Sequence, residues 1–198
     1  TILYNLIHGN NLVSFPFTSV VGTSISTPAG LATRITGSNG TSSISQIIGQ
    51  TIACAFLTAS NEFIGSQTTI EPEKGYWLTI SGARQISITG ELLVPNYYRQ
   101  MNAGENLVSF PFSENQTLSD VLNDVSGSTF NKLVGASIAS EPLASGTWIG
   151  SAAAADKLTT GSAFWLNKTA TAESDYINPW HSSDTDIVQT ASSSFDYI

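Results

Sequence analysis

Gly9-Asn10-Asn11-Leu12-Val13-Ser14-Phe15-Pro16-Phe17 returns further down the chain as Gly104-Glu105-Asn106-Leu107-Val108-Ser109-Phe110-Pro111-Phe112. Eight of the nine positions are identical. A repeat this long has to be read before any single element, because it makes the chain one module used twice. Three further landmarks follow in the same order in both copies. Ile47-Ile48-Gly49-Gln50-Thr51-Ile52-Ala53 matches Leu133-Val134-Gly135-Ala136-Ser137-Ile138-Ala139. Phe63-Ile64-Gly65-Ser66 matches Trp148-Ile149-Gly150-Ser151, and Tyr76-Trp77-Leu78 matches Phe164-Trp165-Leu166. The spacing between copies shortens after the first landmark, which places extra residues in the first copy between Phe17 and Ile44. The modules are expected at 1–92 and 93–172, with a tail at 173–198 that has no repeat partner.

Each landmark has a local reading. Asn11 to Phe15 is β-prone and alternating, and Pro16 ends the strand because proline cannot donate to a central ladder. In the second copy Leu118, Val121, Leu122 and Val125 make one apolar helical stripe, with Thr117 as N-cap and Gly127 beyond the end. In the first copy Thr27 caps, Pro28 takes the first helical position, Leu31 and Ile35 face one way, and Gly37 closes the helix. Ile44 to Leu57 and Phe130 to Ala139 each read as a strand, with Gly49 and Gly135 as bulges or close approaches. Phe63-Ile64, Trp148-Ile149, Tyr76 to Ile80, Phe164 to Leu166 and Gln85 to Thr89 read as further strands. The expected fold is mainly β: two homologous β-rich modules, each with one short helix.

Composition narrows the function. The chain has 198 residues, 7 Lys+Arg against 15 Asp+Glu, a formal net charge of −8 and only 11% charged residues. It has 28 Ser and 22 Thr, and its 41% hydrophobics are enough to form a core. Scattered basic residues on an acidic chain give no stripe for a phosphate backbone, so nucleic acid is not the expected partner. Anionic membrane surfaces are disfavoured for the same reason, and no apolar run reaches the length that spans a bilayer. The lone Cys54 excludes an internal disulfide and a cysteine-rich zinc site.

No catalytic constellation emerges. His8 aligns with Ala103, and His181 has no partner at a useful spacing. Ser14 and Ser109 recur in both copies but lack a nucleophile elbow, so hydrogen bonding is their expected role. Glu71 and Glu73 could suggest a glycosidase pair, yet the second copy has no equivalent. Asp184-Thr185-Asp186 begins like a calcium loop but lacks its glycine and distal glutamate. Cys54 reads as a buried, inert thiol. No cofactor, metal or catalytic residue is therefore expected.

Asn106 to Pro111, the capped helix, Val134 to Ala139, Thr147 to Ser151 and Phe164-Trp165-Leu166 together resemble the GWNLIS-type repeat of bacterial surface proteins. A variant of that repeat is found in virion structural proteins of marine phages, including phages of cyanobacteria. The first copy keeps Gly75-Tyr76-Trp77; the second has Ala163-Phe164-Trp165, and asparagine stands at Asn10 and Asn11 where the repeat has tryptophan. The resemblance implies a structural or adhesive role. Thr1-Ile2-Leu3-Tyr4-Asn5 shows no signal peptide, which predicts a product made in a host cytoplasm and carried on a virion. The leading expectation is a capsid decoration or cement protein, or a head or tail fibre component. Its partners would be the major capsid protein or other virion proteins, with a homo-oligomer on the particle. Trp180, Phe195 and Tyr197 in the tail are the candidate protein-contact residues. The alternative is a carbohydrate-binding adhesin module in which Trp77 and Trp165 stack on a host glycan.

Overall fold

Asn11 and Asn106 start both copies of the same strand by folding back on the backbone before it. Asn11 Oδ1 accepts from Ile7 N at 2.8 Å and its Nδ2 donates to Ile7 O at 2.9 Å. Asn106 Nδ2 donates to Gly104 O at 3.0 Å. The chain then enters a buried strand, β2 (Gly9–Ser14) in the first module and β11 (Gly104–Ser109) in the second, with one burial pattern. The structure is a computed structural model. It describes residues 1–36, 43–93, 99–100, 103–109, 130–144, 147–153, 160–169 and 176–177.

The elements run β1 (Ile2–Leu6), β2, β3 (Phe17–Val20), α1 (Pro28–Thr36), β4 (Ile44–Ile48), β5 (Ala53–Leu57), β6 (Glu62–Gly65), β7 (Gly75–Ile80), β8 (Arg84–Ile88) and β9 (Gly90–Leu92). The second module holds β10 (Arg99–Gln100), β11, β12 (Phe130–Val134), β13 (Ala139–Pro142), β14 (Trp148–Gly150), β15 (Ala163–Lys168) and β16 (Tyr176–Ile177). The fold is mainly β, as the sequence predicts.

Two antiparallel five-stranded sheets dominate, in the orders β2-β7-β4-β5-β6 and β11-β15-β12-β13-β14. Their registers correspond pair by pair. Even the irregularity repeats: the β4·β7 register shifts between Ile44 and Gln46, and the β12·β15 register shifts between Phe130 and Lys132.

One sequence expectation is corrected. Ile44 to Leu57 is not a single strand but two, β4 and β5, with the chain reversing at 49–52, and Phe130 to Ala139 is likewise divided between β12 and the start of β13. Gly49 N donates to Ile52 O at 2.8 Å across that turn, and Gly135 N donates to Ile138 O at 2.8 Å across its counterpart. The glycines mark reversals, because Ile48 and Ile52 keep an apolar residue on either side of the turn and disguise it as continuous strand.

In the first module one face of the sheet is covered by α1 and two ribbons, β1·β8 and β3·β9, in a sandwich-like arrangement. Leu31 from the helix, Ile44, Ile47 and Leu78 from the sheet, and Ile88 from a ribbon share this core and are fully buried. The helix starts as expected. Thr27 Oγ1 accepts from Gly30 N at 3.1 Å, Pro28 is the first helical residue, and Pro28, Leu31, Ala32 and Ile35 are buried. The second-copy helix expected over 117–125, and the Gly37 stop, lie outside the described residues.

Tyr4 joins this core to the strand carrying the repeat. Its hydroxyl donates to Ser14 O at 2.9 Å, and its ring lies 5.2 Å from that of Phe15. Burial raises the phenol pKa well above its ordinary value. The folded state thus resists ionisation that the unfolded chain undergoes near pH 10. This contribution is complete below about pH 10 and is lost as pH rises, by about 1.4 kcal/mol per pH unit. Urea unfolding at rising alkaline pH should show that fall, with a shallower fall for Tyr4→Phe.

Tyr176–Ile177 pairs with Arg99–Gln100 just as β8 pairs with β1. Part of the stretch 173–198 therefore carries a strand in a position the first module also fills. Trp180, Phe195 and Tyr197 lie outside the described residues.

Candidate functional site

Two features of the repeat reach the surface or the partner module: an outward hairpin at one edge of each sheet, and a seam at the other edge. The hairpins are β5–β6 and β13–β14, and β6 and β14 are edge strands. In the first, Cys54 pairs with Gly65 and Ala55 with Ile64; in the second, Ser140 pairs with Gly150 and Glu141 with Ile149. Alternation then turns Cys54 and Ser140 inward, and both are buried. It turns Leu57 and Ile64 outward, and likewise Leu143 and Ile149. These side chains are 46%, 55%, 48% and 41% exposed. Four large aliphatics thus stand in solvent at two pairs of equivalent positions. Scattered exposed hydrophobics are ordinary, but the same pair recurring at equivalent positions of both copies is not a scatter.

The Ile-Gly-Ser motif holds each hairpin in shape. Ser66 Oγ accepts from Ala53 N and donates to Ala53 O, both at 3.4 Å. Ser151 Oγ accepts from Ala139 N at 2.9 Å and donates to Ala139 O at 3.3 Å. Gly65 and Gly150 precede these serines with φ of 145° and 115°. The serine closes the end of the edge strand onto its neighbour, and the glycine lets the backbone come close enough for it to do so.

The seam is built from β2 and β7 of one module and β11 and β15 of the other. Ser14 N donates to Gly161 O at 2.7 Å, and Ser109 N donates to Glu73 O at 3.1 Å. Val13 bridges Ser162, and Val108 bridges Lys74. Each contact is the other with the modules exchanged, which defines an isologous, pseudo-two-fold interface within one chain. Its apolar part is Leu12, Leu107 and Ala163, flanked by half-buried Trp77 and Trp165. The recurrent indoles that could have served as sugar platforms are thus packed between the modules. The aromatic residues before them, Tyr76 and Phe164, are core anchors at 1% and 2% exposure.

Gln50 adds an asymmetric clamp. Its Nε2 donates to Glu105 O at 2.9 Å, and its Oε1 accepts from Leu107 N at 3.0 Å. One side-chain amide thereby acts on the β11 edge as a neighbouring strand would. The aligned residue in the second copy is Ala136, which cannot do the same. Gln50→Ala should cost about 1–2 kcal/mol for two net hydrogen bonds. Ala136→Gln should change stability far less, and urea midpoints compare the two.

Other expected candidates resolve as follows. Ser14 Oγ donates to Ser162 O at 2.7 Å, the hydrogen-bonding role expected of it. Ser109 Oγ is buried and finds no hydrogen-bond partner among the described residues, so only its backbone serves the seam. Burial pushes the Cys54 thiol above its ordinary value, against a smaller opposing pull from the Ile47 backbone, so the reactive thiolate is disfavoured. Glu71 is tied to Lys74 at 2.7 Å. Burial raises its pKa, but Lys74, Glu73 and Thr69 together outweigh that and hold the carboxyl below its usual range. His8 is exposed in the bend between β1 and β2. Asp184, Asp186 and His181 lie outside the described residues. Among the described residues no cluster of His, Cys, Asp and Glu could hold a metal ion, and no helix is long and apolar enough to cross a membrane.

The exposed aliphatics were the residues the sequence reading passed over. Their signal was present: Leu57 aligns with Leu143 and Ile64 with Ile149, each on the alternate side of its strand from the inward residues. Comparison with protein-family models, curated proteins and solved structures finds no match.

Proposed function

We propose that the chain is a non-enzymatic structural protein of a bacteriophage virion, a capsid decoration or cement protein that holds its neighbours through the two outward hairpins. The observation that carries this reading is the recurrence of Leu57 and Ile64 as Leu143 and Ile149, exposed on equivalent edge hairpins of a pseudo-two-fold pair. A surface repeated by two-fold symmetry suits a partner that also repeats, and a capsid is such a partner. The resemblance of the repeat to those of marine phage virion proteins supports the same class. A low-charge surface rich in Ser and Thr suits wide polar contacts around apolar anchors. Trp180, Phe195 and Tyr197 would add an arm from the tail.

Gold-labelled antibody against the chain tests the reading. Electron micrographs should show label at regular positions on the phage particle. Label confined to host material, with bare particles beside it, would overturn the proposal.

A further inference from the structure

The first module contains a cleft that the duplicated scaffold does not require. It lies between α1 and the β5–β6 hairpin and encloses about 530 Å³, within the range of small-molecule sites. Its two walls differ in chemistry for a reason visible in the strands. Phe56 and Phe63 are directly opposite each other, with rings 5.3 Å apart in an edge arrangement. They point to the helix side of the sheet, yet both remain half-buried and line the cleft. Facing them, α1 turns Leu31, Ala32 and Ile35 toward the core and presents Thr33 and Thr36 along its flank. Thr33 Oγ1 gives its proton to Ala29 O at 2.9 Å, which leaves the oxygen as an acceptor toward the cleft. Thr27, Asn61, Gln67 and Thr68 add further polar groups to the lining, and Asn61 holds φ at 58°.

An aromatic floor opposite hydroxyl and amide groups suits a ligand with one apolar face and many hydroxyls. A wholly apolar ligand would strand the polar wall without partners. An anion would find no lysine or arginine among the described residues that line the cleft. We propose that this cleft binds a neutral saccharide, with Phe56 and Phe63 against a pyranose face and Thr33 and Asn61 on its hydroxyls. The second copy supports a specialised use. Phe56 and Phe63 align there with Pro142 and a buried Trp148, so the aromatic pair is particular to the first module. The proposal is independent of the virion reading, since it concerns a face of the hairpin opposite to Leu57 and Ile64.

Titration of the ¹⁵N-labelled full chain with glucose, galactose, mannose and N-acetylglucosamine tests it. At least one sugar should give saturable amide shifts centred on Thr33, Asn61, Glu62 and Phe63. Thr33→Val and, separately, Phe63→Leu should each weaken that binding roughly tenfold or more. Both should keep the wild-type spectrum elsewhere. Sialic acid, the anionic control, should bind at least tenfold more weakly. No saturable shift with any neutral sugar, undiminished binding by both variants, or equal binding of sialic acid would each overturn the assignment.

Discussion

Gly65→Ala should destabilise the chain by about 3 kcal/mol or more, and Gly150→Ala should do the same to the second module. Two costs add. The backbone at each glycine has a positive φ that residues with a Cβ rarely adopt. A Cβ there would also lie 2.3 Å from Ala53 O and 2.7 Å from Cys54 Cα, or 2.5 Å from Ala139 O and 2.9 Å from Ser140 Cα. These obstacles are mostly backbone of the paired strand, so the edge strand has to move away. That motion breaks the Ser66 or Ser151 clasp. At this chain length the melting temperature should drop by about 6–12 °C. Gly82→Ala is the control, because a Cβ at Gly82 meets nothing within 4 Å. Calorimetry on the three variants reads the ranking directly. Equal melting temperatures for Gly65→Ala and Gly82→Ala would mean the hairpin is not built as described.

Gly75→Leu should cost about 2–4 kcal/mol through the seam. A Cβ at Gly75 would stand 2.6 Å from Ala163 Cβ and 3.0 Å from Leu107 Cδ1, both in the other module. A leucine has no room unless the modules part, and parting them weakens the Ser14–Gly161 and Ser109–Glu73 backbone hydrogen bonds. Gly75 and Ala163 hold equivalent places, each at the start of its strand β7 or β15. The milder Gly75→Ala should therefore be largely rescued by Ala163→Gly, because the exchange conserves the volume between them. A double-mutant cycle measures this coupling. Additive effects would show that the two positions do not share a contact.

Much of this architecture was legible in the residues. The repeat pointed to the two sheets, and the β-prone residues Asn11 to Phe15 marked β2 as a strand, although its burial runs unbroken rather than alternating. Thr27 and Pro28 gave the helix start. The reversal at 49–52 was hidden, because a turn flanked by isoleucines keeps the apolar character of a strand. The ribbons of β1 with β8 and β3 with β9 join residues far apart in sequence, which local pattern cannot reveal. The seam was also hidden. Leu12 and Val13 look alike as strand residues, and only the fold shows that Leu12 leaves its own core to meet Leu107 and Ala163. The tryptophans illustrate the same limit. An aromatic recurring in two copies reads equally as anchor or platform until its neighbours are known. For the outward aliphatics, alignment of the copies already held the signal.

The most direct measurement is binding of the full chain to virion shells assembled without it, with wild type compared against Ile64→Asp, Ile149→Asp and the double variant. Both positions are exposed, so folding should survive, and circular dichroism checks that it does. If the two modules grip through one repeated face, each single variant should weaken binding by a similar factor, at least about tenfold, and the double variant should abolish it. A double variant that binds shells as tightly as wild type would contradict the account.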